Sequence, residues 1–201
     1  MRLHLIPALF TSFCAMALLL SPVQSVAQQD LLIKPLAEKK LDQLPPGPLF
    51  WQVQTFTTLS QAQAAAGETS LVAETAGRVW LFTLGPMGSS KRGGRTIVEV
   101  GPIASITAPA YLLRVNHAAG PPGARTPVHT HPGSEAFYVL TGRLGQRTPR
   151  GLSHAAAGQS MPGPGADTPL EVFSSDTNDL SVLVMFVVDA ARPFSSPAKF
   201  E

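Results

Sequence analysis

Residues 123–142 read GARTPVHTHPGSEAFYVLTG, and three side chains in this run, His129, His131 and Glu135, carry its chemistry. Side chains alternate between faces along a strand, so His129 and His131 point the same way. Pro127 and Pro132 bracket the pair and stiffen the backbone around it. Pro132-Gly133-Ser134 makes a turn, after which Glu135 enters the next strand and can face back toward the imidazoles. Phe137 and Val139 share the face of Glu135 and are expected to line a cavity behind it, while Tyr138 falls on the opposite face as packing. Gly142 stands where the following hairpin must turn, a place that favours positive φ. Two imidazoles and a carboxylate within seven residues can hold one transition metal. The competing reading, two exposed loop histidines beside an unrelated glutamate, is the rarer event at this spacing in a chain with 5 His.

The flanking sequence is strand-like on both sides. From Leu49, Phe50, Gln52 and Gln54 alternate with Trp51, Val53 and Thr55, a period of two. Ser60 can cap a short helix through Ala66, which Gly67 stops. Leu71–Glu74 and Arg78–Leu84 are strands joined by a turn at Ala76-Gly77. A Gly/Ser-rich loop over Pro86–Gly94 precedes strands at Thr96–Val100 and Ala110–Asn116. Glu135–Thr141, Leu144–Thr148, Pro169–Phe173 and Leu180–Val188 are the clearest strands beyond the motif. Many short strands punctuated by turns, with no long run of period 3.6, indicate an all-β sandwich or barrel.

The N-terminus reads differently. Arg2 and His4 head a nearly unbroken apolar stretch from Leu5 to Leu20, and Ser25-Val26-Ala27 offers the small residues of a cleavage site. Residues 1–27 are therefore expected to be a signal peptide, cut after Ala27, which sends the chain to the periplasm or outside the cell. The stretch is short for a membrane span, which takes about 20 residues, so no stable anchor is expected after cleavage. Residues 28–47, polar and ending in a proline-rich LPPGP, read as an N-terminal arm with one short helical stretch over Leu36–Leu41. Residues 48–109 then form an N-terminal β extension, and 110–201 the domain that carries the motif.

Composition narrows the chemistry. The 201 residues carry a formal net charge of +2, and removal of Arg2 leaves +1, with no basic run to hold nucleic acid. The lone cysteine, Cys14, lies in the leader, so the remaining chain has neither a disulfide nor a thiolate ligand. Any metal must be held by nitrogen and oxygen.

The run from Gly123 to Gly142 resembles the first motif of the cupin superfamily, with its five signature positions filled by Gly123, His129, His131, Glu135 and Gly142. That resemblance, over roughly Ala110 to Val188, implies a small jelly-roll β-barrel with a metal in its mouth and His129, His131 and Glu135 as three of its ligands. The second cupin motif is degenerate. Gly158 is followed by Pro164 and directly by Gly165, and Leu170 stands where the family places a fourth, histidine ligand. No histidine follows His154. Water, substrate, Glu171, Asp167 or Met161 remain to supply that position, although strand alternation turns Glu171 away from the face of Leu170.

Two imidazoles and one carboxylate leave three positions open on an octahedral ion. That set favours Fe, and Mn, Ni or Zn also fit. The expected activity is that of a mononuclear metal-dependent enzyme, an oxygenase, lyase or isomerase, acting on a small oxygenated molecule. By the same resemblance Glu135 can leave the metal and act as a base. Phe137, Val139, Leu170 and Arg114 are expected at the substrate pocket, Arg114 aimed at an anionic group. His117 and His154 read as rim or exposed histidines. A non-catalytic ligand-binding or sensor cupin is the alternative, and exposed strand edges make a homodimer the expected assembly.

Overall fold

The structure, a computed structural model, describes residues 29–201. The leader over residues 1–27, its cut after Ala27 and Cys14 fall outside the described residues. The first half of the described chain runs through β1 (Leu32–Leu41), β2 (Phe50–Phe56), helix α1 (Leu59–Ala65), β3 (Ser70–Thr75), β4 (Arg78–Gly85) and β5 (Arg95–Val100). The second half begins with β6 (Tyr111–Gly120), β7 (His129–Thr130), β8 (Gly133–Thr141), β9 (Arg143–Thr148) and β10 (Gly151–Ala156). It ends with β11 (Ser160–Pro162), β12 (Glu171–Ser174), β13 (Leu180–Asp189) and β14 (Ser196–Pro197). Among the described residues no helix is long and apolar enough to cross a membrane.

The strands form three layers. The central sheet has the order β1-β6-β13-β8-β11 and is antiparallel throughout. On one side lies the sheet β3-β4-β2-β5. On the other lies β10-β9-β12, continued by the chain that leads into the motif. There Arg125 bridges Phe173, His129 bridges Leu170, and β7 pairs with β14. The central sheet and this last layer close into an all-β jelly-roll barrel, and the N-terminal sheet packs on the barrel's outer face.

This layering explains why β13 reads as an unbroken apolar run. Leu183, Met185 and Val187 face the N-terminal sheet and join Trp51, Trp80 and Phe82 in one core. Val182, Val184, Phe186 and Val188 face the barrel interior with Phe137, Val139 and Leu144 in another. A strand covered on both faces has no polar side to alternate with. Burial of each such side chain contributes about 1.5–3 kcal/mol relative to exposure. Tyr138 points away from the barrel interior, as its alternation with Glu135 requires, and sits 6.2 Å from Trp80 across the two sheets.

Three expectations are corrected here. Leu36–Leu41 is not helical but belongs to β1, the edge strand that pairs with β6 from Leu32↔Ala119 to Leu41↔Tyr111. Its backbone completes the central sheet, and an edge position tolerates Pro35. A bulge between Pro35 and Ala37 turns the strand over, so that Leu31 joins the barrel core while Ala37 and Leu41 meet the N-terminal core. The stretch expected as an arm is thus largely a barrel strand. Helix α1 is capped by Thr58, whose hydroxyl accepts from Gln61 N at 3.3 Å, and not by Ser60, which lies in the first turn. The Ala76-Gly77 turn takes φ of 50° and 68°, as a tight hairpin demands.

Candidate metal centre

His129 and His131 lie on the segment between β6 and β8, and Glu135 is the third residue of β8. The two imidazoles meet edge to face, with ring centroids 4.9 Å apart. Each is anchored through Nδ1 to a backbone carbonyl: His129 donates to Pro127 O at 2.8 Å, and His131 donates to Phe194 O at 2.6 Å. With the proton on Nδ1, the Nε2 atom of each ring keeps its lone pair for a ligand. His131 is packed between Phe186 and Phe194, at centroid distances of 4.9 and 4.8 Å. Its own carbonyl accepts from Asp167 N at 2.8 Å, so the backbone on both sides of the ring is held.

Glu135 is 3% exposed. Its Oε2 lies 3.9 Å from His131 Nε2, and its Oε1 has no hydrogen-bond partner. Gly163 closes it in: the Gly163 N–H donates to the Glu135 carbonyl at 2.8 Å, and a Cβ at 163 would run into the Glu135 side chain. Burial pushes the Glu135 carboxyl up to about 8. Burial also lowers His131 to about 4, outweighing the Phe194 carbonyl, with the charges of His129 and Arg114 adding to the fall. Near neutral pH the close pair is therefore a neutral imidazole beside a neutral acid, not an ion pair.

All three side chains line one cavity of about 390 Å³ at the barrel mouth. Among the described residues, no three His, Cys, Asp or Glu side chains are drawn in to metal-holding distance, although these three line the same cavity. Their chemistry nevertheless fits a first-row transition ion: two directed imidazole nitrogens and a buried carboxyl oxygen left without a partner. Coordination would satisfy that oxygen, whose burial otherwise carries a desolvation cost.

The position opposite His129 is apolar. Leu170 is 1% exposed and exchanges both backbone hydrogen bonds with His129, at 3.0 and 2.9 Å. Residues directly opposite on antiparallel strands share a face, so the leucine side chain lies on the His129 side, in the barrel core just behind the cavity wall. Glu171 does turn away, and it pairs with Arg147 at 3.0 Å and Arg125 at 3.5 Å. Asp167 is exposed and clasps Arg192 through both oxygens, at 2.7 and 3.0 Å. Met161 packs at the edge of the barrel core.

Of the expected pocket residues, Phe137 lines the cavity, whereas Val139 and Leu170 lie in the core behind it. Arg114 is not on the cavity wall. It stacks 4.4 Å from the Phe194 ring centroid, lies 3.7 Å from Glu38, and donates to Asn116 Oδ1 at 2.9 Å. Its charge is thus already shared with Glu38 and does not stand free for an anion. His117 is not a rim residue but lies between layers, held by Thr75 Oγ1 at 3.3 Å and Ser181 Oγ at 2.7 Å. Burial lowers its pKa, with Lys34 adding to the effect. His154 is exposed, beside Ser175 Oγ at 3.2 Å.

Sequence reading missed Phe194, Gly163 and Asn116. The Arg192-Pro193-Phe194 step in the C-terminal tail and a glycine between Pro162 and Pro164 were the available signals. Asn116 left none beyond its place on a strand.

No family model matches this chain, and no curated protein matches it. Solved structures similar to it include the DMSP lyase DddQ from Ruegeria pomeroyi, at 20% identity and TM-score 0.37 over 43% of each chain. The polyketide cyclase RemF from Streptomyces resistomycificus matches at 20% identity and TM-score 0.37, over 44% of this chain and 62% of that one. A cupin 2 conserved barrel domain protein from Salinispora arenicola matches at 19% identity and TM-score 0.35, over 39% and 65%. Cupin superfamily proteins are thus among the structural neighbours, each sharing only part of its length with this chain. The jelly-roll assignment itself stands on the strand order and register of the chain.

Proposed function

We propose that this protein is a metal-binding, cupin-like barrel that holds one divalent transition ion through His129, His131 and Glu135, and acts as a metal-dependent enzyme on a small oxygenated molecule. What supports the reading is that the three residues line one cavity, with both Nδ1 atoms tied to backbone carbonyls and the buried Glu135 Oε1 unpartnered. When bound, such an ion polarises a coordinating oxygen as a Lewis acid. The donor set favours iron, with manganese, nickel or zinc also accommodated.

The chain's own residues supply the rest. His129 and His131 are held in fixed orientations by their Nδ1 bonds, and burial keeps His131 neutral. Phe186 and Phe194 flank His131 and keep water from its ring. Glu135 would lose its proton to solvent to hold the ion as a carboxylate, and when released from the ion it would serve as a base toward a substrate in the cavity it lines. A base so placed suits proton transfer to or from a bound substrate.

Elemental analysis of protein purified without added metal is the direct test. Near-stoichiometric metal in the wild type, lost in both His129→Ala and Glu135→Ala, supports the centre, and turnover of an oxygenated compound by metal-restored protein supports the activity. Absence of measurable affinity for all four metals overturns it. Leu170 at the fourth position favours a second reading, a non-catalytic ligand-binding cupin with a weakened site. That reading is supported if the protein purifies metal-free and carries an organic molecule.

A further inference from the structure

We propose that the cavity takes an uncharged, largely apolar molecule bearing an oxygen acceptor, and that the Asn116 carboxamide selects it. This rests on reading the cavity as the ligand site of the metal centre and specifies what enters it. Asn116 is a strand residue of β6, 3% exposed, and lines the cavity. Arg114 Nε donates to its Oδ1 at 2.9 Å. A guanidinium has donors and no acceptor, so the atom facing it must be the amide oxygen. The carboxamide is thereby oriented. Its NH₂ has no hydrogen-bond acceptor among the described residues. That NH₂ is not sealed from the cavity space, so a ligand carbonyl, ether or hydroxyl oxygen entering there can accept from it. Arg114 is thus a positioning residue for Asn116.

The rest of the wall argues for the body of the ligand. Phe137, Phe186, Phe194 and Val184 surround the space, and Leu31 and Ile33 of the N-terminal segment complete it. No lysine or arginine is among the lining residues. In the metal-free protein a carboxylate or phosphate lodged against these walls would be stripped of water with no lining lysine or arginine to replace it. Ile33 is 42% exposed while also lining the cavity, so part of the entrance is apolar too. The volume of about 390 Å³ lies toward the small end of the range for small-molecule sites.

Three probes of nearly one shape separate the possibilities: 2-acetylnaphthalene, 2-ethylnaphthalene and 2-naphthoate. Each is titrated by calorimetry into the full chain, both metal-stripped and zinc-loaded, and into Asn116→Leu and Asn116→Ser, with circular dichroism checking the fold. In metal-stripped wild type the ketone is expected to bind about tenfold tighter than the hydrocarbon and about tenfold tighter than the carboxylate. The ketone's advantage over the hydrocarbon should fall to about one in both Asn116 variants, while the hydrocarbon's own affinity stays. Equal or tighter binding of 2-naphthoate to metal-stripped protein overturns the proposal. So does a ketone-to-hydrocarbon ratio that both variants leave unchanged, or no binding of any probe. Failure of the metal reading is read separately, as an ion missing from elemental analysis.

Discussion

Gly163 sits against Glu135 so closely that a side chain at 163 has no room, and its N–H holds the Glu135 carbonyl at 2.8 Å. The acid is buried because a glycine allows β11's exit to pass directly over it. Gly163→Ala is therefore expected to displace the Glu135 side chain and weaken metal binding by about 10–100-fold, the range seen when support of a ligand is lost. Metal titration of the variant, with circular dichroism to show that the barrel is retained, checks this. Unchanged affinity would show that Glu135 does not need its present position.

The metal-free protein should show a stability optimum in mildly acidic solution. His131 titrates at about 4 folded against an ordinary 6.5, so its contribution is present above 6.5 and is lost as pH falls toward 4. Glu135 titrates at about 8 folded against 4.5, so its contribution is present below 4.5 and is lost as pH rises toward 8. Between 4.5 and 6.5 the two slopes oppose each other. Thermal melts of wild type and Glu135→Gln across this range test the assignment: the wild type should lose stability relative to the variant as pH rises toward 8. A constant difference between the two would show that Glu135 is ionised throughout.

Metal uptake should release protons. Glu135 is neutral at pH 7 while burial holds its carboxyl at about 8, and a carboxylate ligand must be ionised. Zinc titrations by calorimetry in buffers of different ionisation enthalpy should report release of about one proton per ion at pH 7 in the wild type, and about none in Glu135→Gln. Equal release from both proteins would place the proton elsewhere.

Leu170→His should tighten the site. Position 170 faces His129 across a doubly hydrogen-bonded pair, so a third imidazole there points to the same space. Metal affinity is expected to rise by about tenfold or more. The metal-free variant should melt lower than the wild type, because a polar ring replaces a buried leucine. Metal affinity equal to or below that of the wild type would place position 170 outside the centre.

Trp80→Ala should damage the fold and spare the donor set. Trp80 is fully buried between the N-terminal sheet and the barrel, against Phe82 and Tyr138. The expected cost is about 3–5 kcal/mol in denaturant unfolding. At temperatures where the variant stays folded, its metal affinity should match the wild type. A large loss of affinity would tie the N-terminal sheet to the site.

Local rules were enough for part of this protein. The alternation that puts His129 and His131 on one side, Glu135 and Phe137 on one face and Tyr138 on the other follows from strand geometry, and nothing distant alters it. The short strands and glycine turns likewise announced an all-β chain. Long-range pairing set the remainder. Leu36–Leu41 has the composition of a helix, yet β6 offers it a row of backbone partners, and pairing outweighs a weak local preference. His131 is oriented by a carbonyl 63 residues away in the chain, Glu135 is sealed by Gly163, and Asn116 is turned by its strand neighbour Arg114. Whether Glu135 carries a charge at neutral pH depends on the same closure. Desolvation is produced by whatever packs around a group, and that packing brings together residues with no relation in sequence.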